Sequence, residues 1–174
     1  PAPRTSVSAP ADRHLRPRAG AEHGRWVMPT VEVSVRIAAK PADVEAVLLD
    51  AGLAPRWTAG LERLELVEGR LGEAGSVGHA HYREGKRHYV LTDVLEEVEP
   101  GRRYRSRVSG GGIEAHVETL LEPVGEHETR MTLRWSGRGT NPVTLLVLPF
   151  MGRRVRERAQ ADLESLKTLV EARP

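Results

Sequence analysis

The stretch 151–170, MGRRVRERAQADLESLKTLV, decides the fold. Its apolar residues recur at intervals of four, four, four, three and four, which is the spacing of one face of an α-helix. That face carries Met151, Val155, Ala159, Leu163, Leu166 and Val170. A helix of about 20 residues spans roughly 30 Å. We therefore predict a long amphipathic helix that closes the chain and crosses a small sheet.

The residues before this helix follow the period of β-strands. Residues 31–37, VEVSVRI, place four β-branched side chains on one face. Pro41 and Gly52 are typical of the beginning and end of a short helix, and a second helical turn is expected at 54–58. Further strands are predicted at 61–67, 76–83, 87–98, 103–109, 113–121 and 129–136. This order predicts an α+β fold, in which a curved antiparallel sheet wraps around the long C-terminal helix and two short helices follow the first strand.

Residues 1–28 differ in composition from the rest of the chain. Their prolines and their lack of apolar periodicity are typical of disorder, and they lack the apolar core of a signal peptide. Five arginines against Asp12 and Glu22 give this stretch a net charge of +3, which leaves +2 − 3 = −1 for residues 29–174. We expect a disordered or extended tail over 1–28, a single domain over 29–174, and no nucleic-acid partner.

Several chemistries lack the residues that they require. The chain has no cysteine, which excludes disulfides and thiolate metal sites and favours a cytoplasmic location. It has no nucleophile elbow, phosphate loop or dinucleotide fingerprint. His79, His81 and His88 can bind zinc only if their side chains converge, and an HxH pair on an exposed hairpin seldom does so. We predict no metal and no cofactor.

The glycine turn at 110–112 allows the register of one hairpin to be predicted from charge. If Val108 lies opposite Ile113, then Arg107 lies opposite Glu114 on the same face. The other pairs on that face are Arg105 with His116 and Arg103 with Glu118. We interpret this charged face as solvated rather than as an anion site, with Tyr104, Ser106 and Val108 on the inner face.

The order of short motifs resembles the SRPBCC superfamily, which includes the START lipid-binding domains and the birch-pollen allergen. The resemblance is closest to its polyketide cyclase/dehydrase and lipid-transport type and covers about residues 30–171. The motifs are Ala39–Val44, Pro55–Trp57, Val98–Tyr104, Leu121–Val124 with Thr129–Met131, and the closing helix. The resemblance implies a helix-grip fold with an internal cavity between the sheet and the C-terminal helix. It implies no single chemistry, because the fold is shared by carriers and cyclases.

The inward-facing residues are candidates to line this cavity. From the later strands and the closing helix they are Tyr104, Ser106, Val117, Thr119, Met131, Leu133, Trp135, Ala159 and Leu163, and Trp57 is added from the second helical turn. On strand 87–98 two sets are possible, Tyr89, Leu91, Asp93 and Leu95 or His88, Val90, Thr92 and Val94. We place Tyr89 and Leu91 among the candidates. A bulge at Glu96-Glu97 would change the alternation.

Asp93 is the candidate catalytic residue. A carboxyl group in an apolar cavity has a raised pKa and can act as an acid or a base. If the other set of strand 87–98 faces inward, Asp93 is instead exposed or bonded to a turn.

The most apolar run of the chain is 143–151, VTLLVLPFM. It is too short to span a bilayer, and four arginines follow it within 153–158. It can be the buried beginning of the closing helix, a lid over the cavity that includes Leu146 and Leu148, or, with residues up to 158, a transient contact with an anionic membrane.

Our leading functional hypothesis is a protein that binds or carries a small hydrophobic ligand, as a monomer or a homodimer. The alternative is a cyclase- or dehydratase-like enzyme, with Asp93 or a histidine in the cavity as acid/base and Tyr104 or Arg56 orienting the substrate. A third hypothesis is a protein-interaction module that uses 143–151 as its surface. The chain has few aromatic rings to hold a polyaromatic substrate, which favours the carrier.

Overall fold

The computed structural model describes residues 30–147 and 150–173. The expected tail at 1–28 and Leu148 lie outside them. Seven strands form one antiparallel sheet in the order β1-β7-β6-β5-β4-β3-β2. The elements are β1 (Thr30–Ile37), α1 (Pro41–Leu48), α2 (Ala54–Trp57), β2 (Leu61–Glu68), β3 (Val77–Glu84), β4 (Arg87–Glu99), β5 (Arg103–Gly110), β6 (Ile113–Gly125), β7 (Glu128–Gly139), α3 (Pro142–Val147) and α4 (Gly152–Glu171). The predicted α+β class and helix-grip arrangement are confirmed.

The core forms between the inner face of β1 and the apolar face of α4. Every second residue of β1 is buried, as its alternation predicts. The buried residues of α4 are Leu163, Leu166 and Val170, and Val155 and Ala159 pack against the same cluster. These residues share a helix face because their spacing follows the helical repeat.

The polar side chains of α4 bond to the free edge of β1. Arg156, Gln160 and Lys167 donate to the backbone carbonyls of Glu32, Ser34 and Arg36 at 3.1, 3.5 and 2.6 Å. Glu171 accepts a hydrogen bond from the amide of Ala38 at 2.7 Å. An exposed strand edge is a template for pairing with another chain, so α4 protects β1 as well as covering the core.

Helix α1 is fixed to the turn between β4 and β5. The Glu45 carboxylate accepts hydrogen bonds from the Gly101 amide, at 3.0 Å, and from the Tyr104 hydroxyl. The Gly101 amide also donates to the Tyr104 hydroxyl at 3.0 Å. Burial raises the pKa of Tyr104 to about 12, and the hydrogen bond to Glu45 adds to the shift. The phenol therefore stays protonated as a donor to Glu45.

The predicted register of the β5–β6 hairpin is wrong by two residues. Gly110 pairs with Ile113, and Val108 pairs with Ala115. The turn therefore has only two central residues, Gly111 and Gly112, with φ of 59° and 83°. Both values are positive, as a type I′ turn requires, and only glycine adopts them without strain. A shift of two residues keeps every side chain on its predicted face.

Two of the β5 arginines bind acids of β4 rather than their predicted partners on β6. Arg105 binds Glu97 at 3.1 Å and Arg107 binds Glu96 at 2.9 Å. Both acids belong to β4, where the register shifts between Leu95 and Glu97. The expected bulge is thus present. These charges form exposed ion pairs, which contribute at most about 1 kcal/mol each.

Leu163 gives a direct test of the α4 contact, because its side chain is 0% exposed. We expect Leu163→Ala to lower the free energy of unfolding in urea by about 2–5 kcal/mol, the usual result of leaving a cavity in a packed core. Leu146→Ala is the matched control, because Leu146 is 73% exposed, and should change stability by less than about 0.5 kcal/mol. Equal effects of the two changes would contradict this assignment of the core.

Candidate functional site

A cavity of about 230 Å³ lies against the inner face of the sheet. Strands β2 to β7 line one side of it. The opposite side consists of the end of α1, helix α2 and the connection between β2 and β3. Most of the lining is apolar, and among the described residues its single carboxyl group belongs to Asp93.

The cavity lies beside α4 rather than beneath it. No residue of α4 is among its lining residues, because α4 packs on β1, α1 and α2. The predicted place, between the sheet and the C-terminal helix, is therefore corrected. Leu49 at the end of α1 and Gly72 in the β2–β3 connection meet over the cavity instead. A Cβ atom at Gly72 would lie 2.8 Å from Leu49 Cδ1, so a side chain there would displace Leu49.

Asp93 lies on the cavity side of β4, as the first of the two alternative sets predicts. Burial raises the pKa of its carboxyl group above the ordinary value of 3.8, and hydrogen bonding from Ser106 opposes the shift. The residue that pairs with Asp93 on the neighbouring strand β3 is Gly78. Because Gly78 has no side chain, space is left next to the carboxyl group.

Three polar residues form a diagonal line across the cavity side of neighbouring strands. Asp93 lies opposite Val108, two residues from Ser106 in β5. Ser106 lies opposite Val117, two residues from Thr119 in β6. All three polar residues line the cavity. The site thus combines an apolar volume with one polar wall.

Arg158 of α4 lies near one end of the cavity, where it contacts Tyr82. Its guanidinium lies 5.6 Å from the centre of the Tyr82 ring and binds Glu84 and the carbonyl of Ala59. Tyr82 lines the cavity and stacks on Tyr89, with ring centroids 5.4 Å apart. Burial raises the pKa of Tyr82 to about 12, and the charge of Arg158 opposes the shift.

The structure brings most of the candidate ligand-binding residues to one cavity. Its lining includes Trp57, Tyr104, Ser106, Val117, Thr119, Met131 and Leu133. The lining does not include Tyr89, Leu91, Trp135, Ala159 and Leu163. Leu163 is in the core under α4, with Trp135 and Ala159 packed against the same cluster. Leu91 packs in a second cluster with Ala80.

The residues considered for orienting a substrate or for binding a metal are engaged elsewhere or lie outside the cavity lining. The Tyr104 hydroxyl is engaged by Glu45 and Gly101, and Arg56 does not line the cavity. No histidine is among the lining residues. His81 lies 3.2 Å from Glu65, and His88 lies 3.5 Å from Glu62. Within 30–147 and 150–173, no group of three potential ligands could hold a metal ion.

Sequence reasoning missed the part of the lining that lies nearest β2. The missed residues are Leu48, Leu49, Ala54, Thr58, Leu61, Leu64, Leu66, Leu71, Gly72, Ser76, Gly78, Ala80 and Tyr82. Alternation at 61, 64 and 66 is broken by register shifts in β2, which hides the pattern. The alternation of Gly78, Ala80 and Tyr82 on β3 was a usable signal, because small residues on an inner face leave space.

The described residues of the run 143–151 are mostly exposed, and none of them lines the cavity. Val143 and Phe150 are 70% and 84% exposed, so this run is not the buried beginning of α4. None of its described residues lines the cavity, which removes the basis of the lid hypothesis. Among the helices of the described residues, none is long and apolar enough to span a membrane.

Comparisons with known proteins agree with this architecture. Residues 28–171 match the model of the family described as polyketide cyclase / dehydrase and lipid transport. The sequence has no significant match among curated proteins.

Solved structures show the same fold at low sequence identity. The Zhui aromatase/cyclase from Streptomyces sp. R1128 is 19% identical, with a TM-score of 0.69 over 83% of this chain and 94% of that chain. The protein Ara h 8.0201 is 18% identical, with a TM-score of 0.67 over 84% of this chain and 99% of that one. A START superfamily protein from Mycobacterium smegmatis is 16% identical, with a TM-score of 0.61 over 82% and 94% of the two chains.

The raised pKa of Asp93 predicts a pH-dependent effect of Asp93→Asn. Above pH 3.8, the Asp93 carboxyl group of the unfolded chain loses its proton, while that of the folded protein still retains it. The stability of the fold therefore falls as the pH rises toward the pKa of Asp93 in the folded protein. Asparagine removes that penalty. Thermal melting should therefore show that Asp93→Asn raises Tm at neutral pH and has little effect near pH 3.8.

Asp43→Asn is the control, because Asp43 is exposed on the first turn of α1. It should produce no comparable gain at neutral pH. A Tm difference for Asp93→Asn that does not grow with pH would contradict the burial of its carboxyl group.

Proposed function

The chain belongs to the polyketide cyclase / dehydrase and lipid transport family, and we propose from this premise that it binds or carries a small, mostly apolar molecule with one polar end. This family membership is what the resemblance to SRPBCC predicted. The observation that supports the proposal best is the 230 Å³ apolar cavity, in which Asp93 supplies the only carboxyl group within the described part of the chain.

The size of the cavity restricts the class of ligand. Pockets for drug-sized molecules occupy roughly 300–1,000 Å³, whereas this cavity has about 230 Å³. One or two rings, or a short acyl chain, fit such a volume. A long polyketide or a two-chain lipid would require the cavity to open.

The diagonal line of Asp93, Ser106 and Thr119 supports a polar end on the ligand. A hydroxyl or amino group can donate to the Asp93 carboxylate and exchange hydrogen bonds with the two hydroxyls. The apolar body of the ligand would then lie against residues such as Leu64 and Leu133 on either side of the polar line. Hydrogen bonding in an apolar cavity adds specificity, because a ligand without the polar group leaves the carboxyl group unpaired.

Gly78→Val tests this site, because it fills the space next to Asp93. A Cβ atom at Gly78 would lie 3.4 Å from Leu64 Cδ1, which is an ordinary contact. With 2-naphthol as the probe in calorimetric titration, we expect roughly tenfold weaker binding, because the valine side chain occupies volume that the ligand would otherwise fill. His79→Val, one residue along β3 and absent from the lining, is the matched control.

Native mass spectrometry of the protein purified without detergent complements the titration. We expect wild type and His79→Val to retain a small molecule that is released on unfolding, and Gly78→Val to retain less. If wild type retains nothing and does not bind 2-naphthol, the ligand-binding proposal is wrong.

A second candidate function is acid–base catalysis at Asp93, for example in the dehydration of a small β-hydroxy ketone. The raised pKa of Asp93 within a cavity supports it, because a carboxyl group with a pKa nearer neutrality transfers protons more efficiently. We expect turnover, followed by the absorbance of the enone product, to fall at least about 100-fold in Asp93→Asn. Affinity for 2-naphthol should change much less. Equal turnover of both proteins would exclude this role.

A further inference from the structure

Helix α3 has its polar and apolar residues in the reverse of the usual arrangement. Its one polar side chain, Thr144, faces the sheet, where its hydroxyl donates to the Gly112 carbonyl at 2.7 Å. The apolar side chains Val143, Leu146 and Val147 face solvent, with exposures of 70%, 73% and 45%. Phe150, just beyond the helix, is 84% exposed. A helix on a water-facing surface ordinarily has the opposite pattern.

Specific contacts fix this arrangement in place. The Asn141 side chain accepts a hydrogen bond from the Thr144 amide at 2.9 Å and so caps the beginning of α3. The Thr140 amide donates to the Gly112 carbonyl at 2.8 Å. A Cβ atom at Gly139 would lie 2.4 Å from the Leu145 nitrogen, so the close approach of α3 to β7 depends on glycine there. The apolar side chains are therefore held outward.

The charged residues of the chain segment that contains α3 have a single sign. Residues 129–156 contain six arginines and no aspartate or glutamate. Arg138 precedes α3, and Arg153 and Arg154 follow Phe150. Arg154 has no hydrogen bond or ion pair within the described part of the chain. Arg153 and Arg138 have exposed pairs with Glu157 and Glu114. Such surface pairs are weak enough to exchange for a phosphate group.

We propose that the apolar residues of α3 and Phe150, together with Arg138, Arg153 and Arg154, form a docking surface for an anionic phospholipid membrane. Apolar side chains enter the boundary between headgroups and acyl chains, while the flanking arginines bind the phosphates. The inference is independent of the proposed ligand, because none of these residues lines the cavity.

Charge makes a membrane a better occupant than a second copy of the chain. A two-fold interface through α3 would bring the arginines of both copies together, with like charges repelling. The exposed part of α3 is also a single six-residue helix, whereas a stable interface buries about 800 Å² on each partner.

Vesicle co-sedimentation of the full chain tests the proposal, with vesicles of phosphatidylcholine alone or mixed with phosphatidylglycerol. We expect binding to the mixed vesicles and weaker binding at high salt. The double change Leu146→Ser and Phe150→Ser should lower the partition coefficient by about tenfold or more. Arg153→Gln and Arg154→Gln should each lower it by about fivefold.

The matched control is Val67→Ser with Arg70→Gln, an apolar and a basic residue that are exposed on the far side of the sheet order. It should bind as wild type does. Retained binding by the Leu146/Phe150 variant would overturn the proposal and indicate that the arginines of residues 1–28 bind the vesicles. Failure of the wild-type protein to bind the mixed vesicles would also overturn the proposal.

Two further measurements separate the remaining outcomes. Sedimentation velocity shows whether the wild type dimerises and the Leu146/Phe150 variant does not, in which case the surface is a protein interface and the proposal is wrong. Titration with 2-naphthol should give the same affinity for this variant and wild type, so a failure of membrane docking is distinguishable from a failure of ligand binding.

Discussion

The packing of α4 against β1 is the contact on which the rest of the structure depends. The same helix buries Leu163, Leu166 and Val170 in the core and bonds through Gln160 and Lys167 to the edge carbonyls of β1. The apolar contact provides most of the free energy, and the polar contacts fix the direction and register of the helix. Together they remove one of the two free edges of the sheet.

The position of α4 also determines where a cavity can exist. Because α4 lies along β1 and meets α1 and α2, it fills only the side of the sheet nearest β1. The inner face toward β2 is covered by shorter pieces, namely α2 and the β2–β3 connection. These pieces do not fill the space above Gly78 and Ala80, whose side chains are absent or small. The cavity is thus a consequence of one long helix and a sheet wider than that helix can cover.

Sequence patterns predicted the parts of the fold in which one physical effect dominates. Alternation in β1 and helical spacing in α4 reflect burial alone, and both elements lie within two residues of their predicted bounds. The β5–β6 register failed because charge pairing was used, although the two-residue turn at Gly111 and Gly112 sets it. A surface ion pair is too weak to determine register when backbone geometry favours another.

For the candidate site, the sequence predicted which residues of each strand face inward, but not where the cavity lies. Inward alternation on β5, β6 and β7 identified cavity residues such as Ser106 and Val117, because neighbouring strands share their inner face. Helical spacing likewise placed Leu163 in the site, although it is fully buried in the core. Alternation shows on which face of the sheet a residue lies, but it does not show which element covers that face. The cover depends on the tertiary position of α4, which no local pattern contains.

Comparison of the buried and half-buried polar groups distinguishes Asp93 from the others. Thr129 is fully buried, and its hydroxyl donates to the Ala39 carbonyl at 2.7 Å, which joins β7 to the chain after β1. Glu45 likewise has a structural role, because it holds α1 to the β4–β5 turn. Within the described residues, the contact that stabilises the Asp93 carboxylate is the Ser106 hydroxyl, and this contact joins only two neighbouring strands.

A buried carboxyl group with so little compensation lowers stability, and an apolar residue of similar size would remove the penalty. A ligand that bonds to this carboxyl group would offset the penalty, which is the role that we propose for Asp93 at the cavity wall.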